Sequence, residues 1–311
     1  MMTISVAIPT KNRCEDLLNT LKSILIQAYL PSEIIIVDQN ISPDVNNAVL
    51  SLFNNLDEST KSGISLKYIH ATEITGLAQA RNVALKRNKS DILLFLDDDV
   101  LLEEDFIFHI LETYRKDPSL YGVGGTITNL HQGFIGTILY KYFMRGNFTD
   151  KRMFIYSNPR YNDMEYLEVS TLPGCVMSYK KEVFQEFLFD ENFIGYGLSE
   201  DFDFSFRVSR KYRLAMTPKA RLEHVCSNAG RADDKKLIEN VILAKHYFYK
   251  MKLHKNIYNF ICYMWLHLGY AVFGFYLAVV RFNLDGLIGY TRGVRKIIRG
   301  ESSDFILPGK A

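Results

Sequence analysis

Three consecutive carboxylates, Asp97, Asp98 and Asp99, follow directly on the apolar run Ile92–Leu96. Such a run reads as a buried strand, and acids at its C-terminal end stand where open α/β sheets bind ligands. Carboxylates crowd together cheaply only around a cation. A hard divalent ion held by one or two of them keeps sites free for phosphate oxygens. The chemistry implied is a metal, Mg2+ or Mn2+, carrying a phosphorylated ligand. Without a ligand the same residues would be an acidic turn, with Asp99 or Glu103 capping the next helix.

A second acidic place lies further on. The stretch GYGLSED at 195–201 reads as a glycine-bearing mobile loop running into a helix capped by Ser199, with Glu200 and Asp201 in its first turn. A carboxylate there can take a proton from an attacking hydroxyl if it lies within hydrogen-bond reach. Asp201 is the residue expected to act as that base, with Glu200 orienting the acceptor or sharing the role. Asp203 and Arg207, four apart, read as a helical ion pair. His224 offers an imidazole suited to an ion such as Mn2+, or a structural histidine satisfied by hydrogen bonds.

Positioning these groups needs strands and helices in alternation. Residues 4–8 and 33–37 are apolar strand runs, and 66–69 and 92–96 repeat the signal. Between them Leu17, Leu21 and Ile24, then Leu77, Ala80 and Ala84, recur at helical spacing. That alternation implies a doubly wound, mostly parallel sheet. Its strand ends carry Pro9-Thr10-Lys11-Asn12-Arg13, Asp38-Gln39-Asn40 and Asp97-Asp98-Asp99, and the helix start Gly76 to Asn82 includes Arg81. In a parallel sheet these ends converge on one crevice. Asp38 could accept hydrogen bonds from a base N–H or ribose hydroxyl, and Arg81 could pair with phosphate or with the acids.

Together with Gly174-Cys175 and the acids from Phe189 to Asp203, these junctions resemble glycosyltransferase family 2, across about residues 3 to 225. The resemblance implies an α/β fold of the GT-A type with a smaller acceptor-side subdomain, and inverting sugar transfer from a nucleotide diphosphate donor. By that resemblance Pro9, Thr10, Asn12 and Arg13 border the nucleotide, Asp38 contacts the base, and Asp97 and Asp99 form the DxD motif around Asp98. Glu200 and Asp201 fall on the family's acidic pair, and His224 on a position where some relatives hold metal or touch the diphosphate. It also implies a UDP-sugar as the first donor class to expect, and a glycan or lipid-linked acceptor in cell-surface polysaccharide synthesis. The expected division is 1–120 for the nucleotide-sugar half, 121–225 for the acceptor half and 226–311 for a helical appendage.

Composition bounds the alternatives. The 311 residues, 48% hydrophobic, allow a large core, and 37 basic against 35 acidic side chains give no general basis for nucleic-acid binding. Four scattered cysteines and no readable leader fit a cytosolic location at the inner face of the cell membrane. Residues 140–161 mix basic and aromatic side chains and read as an irregular segment rather than core; the glycines at 122, 124 and 125 read as close backbone packing. Residues 256–280 contain no Lys, Arg, Asp or Glu yet have basic flanks on both sides. A single span would put one flank on the wrong side, so an in-plane or re-entrant hairpin broken near Gly269 is expected against the membrane surface. A single span comes second, and packing on the protein or in a homodimer is the third arrangement left open. Two other functions use the same acids: a metal-dependent phosphohydrolase or nucleotidyltransferase, and a silent glycan-binding protein. The first lacks a glycine-rich N-terminal loop, and the second has no need for a filled base position.

Overall fold

The computed structural model describes residues 2–42, 44–74, 76–130, 134–155, 158–193, 199–226 and 233–301, without the side chains of 59, 134–136, 139, 153, 154 and 159. In chain order β1 (Ile4–Thr10), α1 (Cys14–Leu25), β2 (Glu33–Asp38), α2 (Asp44–Asn54), α3 (Glu58–Gly63) and β3 (Ser65–His70) come first. They are followed by α4 (Leu77–Arg87), β4 (Ile92–Leu96), β5 (Val100–Leu102), α5 (Phe106–Lys116) and β6 (Leu120–Ile127). Then come α6 (Phe134–Phe143), α7 (Arg152–Ile155), β7 (Leu167–Val169), β8 (Val176–Lys180), α8 (Glu200–Ser209) and β9 (Arg213–His224). Three helices close the chain, α9 (Asp234–Lys252), α10 (Ile257–Val280) and α11 (Asp285–Arg299).

Two compact units are formed. The first gathers Met1–Leu130, Asn158–Glu191 and Glu200–Gly230 around a nine-stranded sheet of order β3-β2-β1-β4-β8-β6-β9-β5, with β7 on β9. The four strands β3, β2, β1 and β4 are mutually parallel, and β8 enters antiparallel beside β4. All residues of β1, β2 and β4 are buried, as expected where helices cover both faces of a parallel sheet. The α/β class and the GT-A arrangement expected from the sequence are what the chain adopts.

Two features of this sheet make the site. The β1–β2 register runs on to Thr10↔Asp38, whereas β1–β4 pairing ends at Ala7↔Phe95. The strands therefore part before Pro9, and the acids after β4 face the gap. The three-residue β5 then turns back antiparallel to β9, pairing Val100 with His224. Glycines let β6 sit close to its neighbours: a Cβ on Gly125 would lie 2.6 Å from Phe106 Cε2 and 2.7 Å from the Ala220 carbonyl. The dense backbone packing read from the sequence is what these residues do.

The second unit holds His131–Ser157, Asn192–Ser199 and Arg231–Ala311, and is helical. Gly289 and Gly293 of α11 lie against α9, where Cβ atoms would come within 2.5 Å of the Lys235 carbonyl and 2.9 Å of Ile242 Cβ. Two sequence expectations need correction here. The described residues of 140–161 are not all surface: Phe148 is fully buried, edge-on to Phe248 at 5.8 Å, and the Asp150 carboxylate is buried in an ion pair with Arg152. The aromatics interleaved with the basic residues supply core, and an acid neutralises one of the cations. Nor is the apolar segment a hairpin broken near Gly269. α10 continues through that residue, which has no side chain because Phe143 lies where its Cβ would be, 2.5 Å from Phe143 Cβ.

Candidate active site

The acids after β4 diverge, each to a different partner. Asp97 reaches Arg81 Nη2 at 3.3 Å and keeps 27% of its side chain exposed. Asp98 turns inward, accepting from Thr10 Oγ1 at 2.7 Å and from Arg13 Nη1 at 3.1 Å. Asp99, 1% exposed, accepts from Arg13 Nη1 at 3.2 Å, and its Oδ1 stands 3.0 Å from His224 Nε2. The turn is fixed from behind by Thr20 of α1, whose hydroxyl donates toward the Asp98 and Val100 carbonyls and accepts the Val100 N–H. A helix-interior threonine gave no sequence signal for that duty.

The outcome is one cluster of possible ligands. One atom each from Asp97, Asp99 and His224 lie within 4.8 Å of one another. Two ligands across a single Mg2+ or Mn2+ ion stand roughly 4.2 Å apart, given bonds of about 2.1 Å. Two carboxylates and an imidazole form a donor set that fits Mn2+ in particular. Asp98 is not in the cluster; its hydroxyl and guanidinium partners make it a brace between the first loop and the acidic turn.

Electrostatics agree with a place built for positive charge. Desolvation raises Asp97 above the usual carboxylate range and Asp99 and Asp201 add to it, against the pull of Arg81 and His224. Asp98 is pushed up to about 7, by burial first, with Asp97 and Asp99 adding and Thr10 and Arg13 opposing. Burial and crowding make negative charge costly at Asp97 and Asp98, a cost that a bound cation would offset.

Arg81 joins the two acidic places. It is 1% exposed, so it is no surface arginine, and its fork touches Asp97, Glu200 and the Gly174 carbonyl at 2.9 Å. Its carbon end lies over the Phe189 ring at 5.6 Å. Burial raises Glu200, to about 8, and Asp201 adds, while Arg81 pulls the other way. Asp201 Oδ2 accepts the Gly174 N–H at 3.0 Å and Oδ1 the Phe202 N–H at 2.7 Å, so its carboxylate is held by backbone. Gly174 is needed for this approach: a Cβ there would lie 3.1 Å from Asp201 Cβ and 3.2 Å from Arg81 Nη2. Asn82 clips the neighbouring loop by paired bonds to the Phe189 backbone and one to Glu191. Arg207 and Asp203 form the helical pair foreseen from their spacing.

The glycine loop read from the sequence at Gly195 and Gly197 lies outside the described residues. Ser199 does not have the extended backbone of a helix cap: its φ is 74°, in the left-handed region.

At the other end of the crevice, fully buried Asp38 accepts from the Asn40 backbone at 2.9 Å, from the Asn40 amide and from the Tyr68 hydroxyl. Asn40 in turn accepts the N–H of Asn12, whose φ is 58°, and its carbonyl meets His70 Nε2 at 2.7 Å. The sequence reading missed Tyr68 and His70. The signal for His70 was register, since it pairs directly with Asp38 across β2–β3. Pro9, Thr10, Asn12, Arg13 and Asp38 thus share one strand-end rim, but Thr10, Arg13 and Asp38 are committed to protein partners.

With this geometry in hand the comparisons with known proteins become informative. The sequence pattern of Glycosyl transferase family 2 matches residues 5–188, more than half of the chain, and the chain belongs to that family. Among relatives, the glucosyl-dolichyl phosphate glucuronosyltransferase of Haloferax volcanii is 28% identical over 129 residues, 40% of this chain and 38% of that enzyme. The poly-beta-1,6-N-acetyl-D-glucosamine synthase of Staphylococcus epidermidis is 27% identical over 122 residues, 39% of this chain and 28% of the synthase. The matches therefore span well under half of these relatives. A mannosyltransferase of Pyrobaculum calidifontis, solved with GDP-Man and Mn2+, superposes with a TM-score of 0.59 at 15% identity, covering 97% of this chain and 88% of its own. S. aureus TarS, residues 1–349, gives 0.55 at 14% identity, over 98% and 83%. At such identities the likeness is one of fold.

Proposed function

We propose that this protein is a metal-dependent inverting glycosyltransferase that moves a sugar from a nucleotide diphosphate, UDP-linked in the first instance, to a glycan or lipid-linked acceptor at the inner face of a membrane. The observation that carries the reading is the Asp97, Asp99 and His224 cluster, joined through Arg81 to Glu200 at the helix start that also carries Asp201. In this reading the three residues hold Mg2+ or Mn2+, which when bound neutralises the departing diphosphate. The relatives named above support a carbohydrate acceptor, and the solved mannosyltransferase supports a nucleotide-sugar and Mn2+ at a fold of this kind.

The chain's own contribution is placement. Asp201, held by the Gly174 and Phe202 amides, takes the acceptor hydroxyl's proton as that oxygen attacks the anomeric carbon. The bond to the diphosphate breaks on the opposite side, so configuration inverts. Glu200, neutralised by Arg81, keeps the start of α8 fixed against Gly174 and so orients its neighbour. The rim of Pro9, Asn12 and Asn40 receives the nucleoside, with buried Asp38 fixing Asn40 from behind.

Asp201→Asn tests the base. It should keep Mn2+-dependent nucleotide diphosphate binding and lose at least 100-fold in transfer, read with a panel of nucleotide sugars. Transfer within tenfold of the native rate would move the base elsewhere.

A further inference from the structure

α10 has two unlike faces. One packs inside its own unit and carries Asn259, Tyr263, His267, Gly269 and Gly274. Polar anchors hold it there, since Asn259 Oδ1 accepts from Asn147 at 2.9 Å and Tyr263 meets His246 Nδ1 at 2.8 Å. The other face is exposed and apolar along its length. Ile261, Met264, Leu268, Val272, Phe275 and Val279 recur every three or four residues, and Phe275 is 64% exposed. Trp265, beside this line, gives its indole N–H to the Tyr142 carbonyl of α6 at 2.8 Å. A stripe six residues long, with no Lys, Arg, Asp or Glu within residues 256–280, is far beyond the scattered apolar residues of an ordinary surface.

Charge says what covers it. Lys250 and Lys255 precede the helix, Arg281 follows it, and α11 presents Arg292, Arg295 and Arg299 on one exposed face while Gly286, Gly289 and Gly293 face inward. An apolar stripe bordered at both ends by cations matches acyl chains under anionic headgroups. Crossing the bilayer does not fit, because it would strip Asn259 and His267 from their packed surroundings and place them among hydrocarbon.

We propose that α10 lies unbroken in the plane of an anionic bilayer, its stripe sunk among the acyl chains and the α11 arginines on headgroup phosphates, without spanning. The proposal rests on the transferase reading only for its purpose, which is to hold the site beside a lipid-linked acceptor.

The test is flotation of the full-length protein with vesicles of phosphatidylcholine alone or mixed with phosphatidylglycerol. Binding is expected to the anionic mixture, to fall roughly tenfold for each of Leu268→Glu and Phe275→Glu, and to be released by alkaline carbonate. Arg292→Gln with Arg295→Gln should weaken binding to the anionic vesicles and leave the residual binding to neutral ones unchanged. Resistance to carbonate would overturn the proposal in favour of a span. Equal binding by the glutamate variants would overturn it too, as would a soluble protein that binds no vesicle and whose dimer the same variants split. Calorimetry of nucleotide diphosphate with Mn2+ on the same variants separates this outcome from the transferase reading, since donor binding should be unchanged whichever way the vesicles answer.

Discussion

Asp98 and Arg81 are the two residues whose environments make the sharpest demands. Burial, as the first cause, pushes the Asp98 carboxyl up to about 7 from an ordinary 3.8. A carboxyl raised on folding favours the native state fully below its ordinary value, and that advantage is lost as pH rises through the raised one. The metal-free protein, kept in chelator, should therefore lose stability from about pH 4 to pH 8, and Asp98→Asn should flatten the slope in thermal melts. A wild-type slope unaltered in the variant would assign the titration to another group. Arg81→Ala should be severe, because it removes the cation that Asp97 and Glu200 share and the donor to the Gly174 carbonyl. Breaking one side of a buried pair costs about 3–5 kcal/mol, measurable by urea unfolding. A loss below about 1 kcal/mol would show that Glu200 is held neutral and needs no partner. The inward turn of Asp98 was not legible beforehand, whereas the pairing of Arg81 with the acids was. Arg81 was readable as a residue near anions, but its burial follows from α4 packing its N-terminal turn toward Gly174, a contact 93 positions away.

Among the elements, legibility followed how continuous each hydrophobic signal was. The runs in β1, β2 and β4 are buried on both faces and declare themselves without any partner being known. β8 was visible only as a short apolar run, and nothing local says that it enters antiparallel between β4 and β6. β9 was harder still: its twelve residues contact three strands, and its pairing with β6 slips twice. That strand delivers His224, so the imidazole's nearness to Asp99 came from topology rather than from any spacing. The glycines of β6 were readable as packing, and they give a prediction at this level. Gly125→Ala forces a methyl against the Ala220 carbonyl and the Phe106 ring. Backbone on one side cannot yield, so the cost should reach the upper part of the 1–3 kcal/mol typical of overpacking, about 3 kcal/mol. A denaturation midpoint equal to wild type would mean that β6 and β9 are free to separate there.

Taken as one molecule, the chain puts its chemistry in the sheet unit and its apolar surface in the helical one. Each unit is assembled from three pieces of sequence, so the helical one is not a simple C-terminal extension. Hydropathy showed α10 as apolar but not which face of it is buried, because composition does not record on which side of a helix its residues lie. The claim at the centre of this account is narrower, that a divalent ion bound by Asp97, Asp99 and His224 tethers a diphosphate. The measurement closest to it is calorimetric titration of UDP and GDP into the wild-type protein and Asp99→Ala, each with Mn2+ and with chelator. Wild-type binding should require Mn2+ and fall at least tenfold in Asp99→Ala, with the variant indifferent to the metal. Equal affinity in the two proteins, or tight binding by the wild type in chelator, would contradict it.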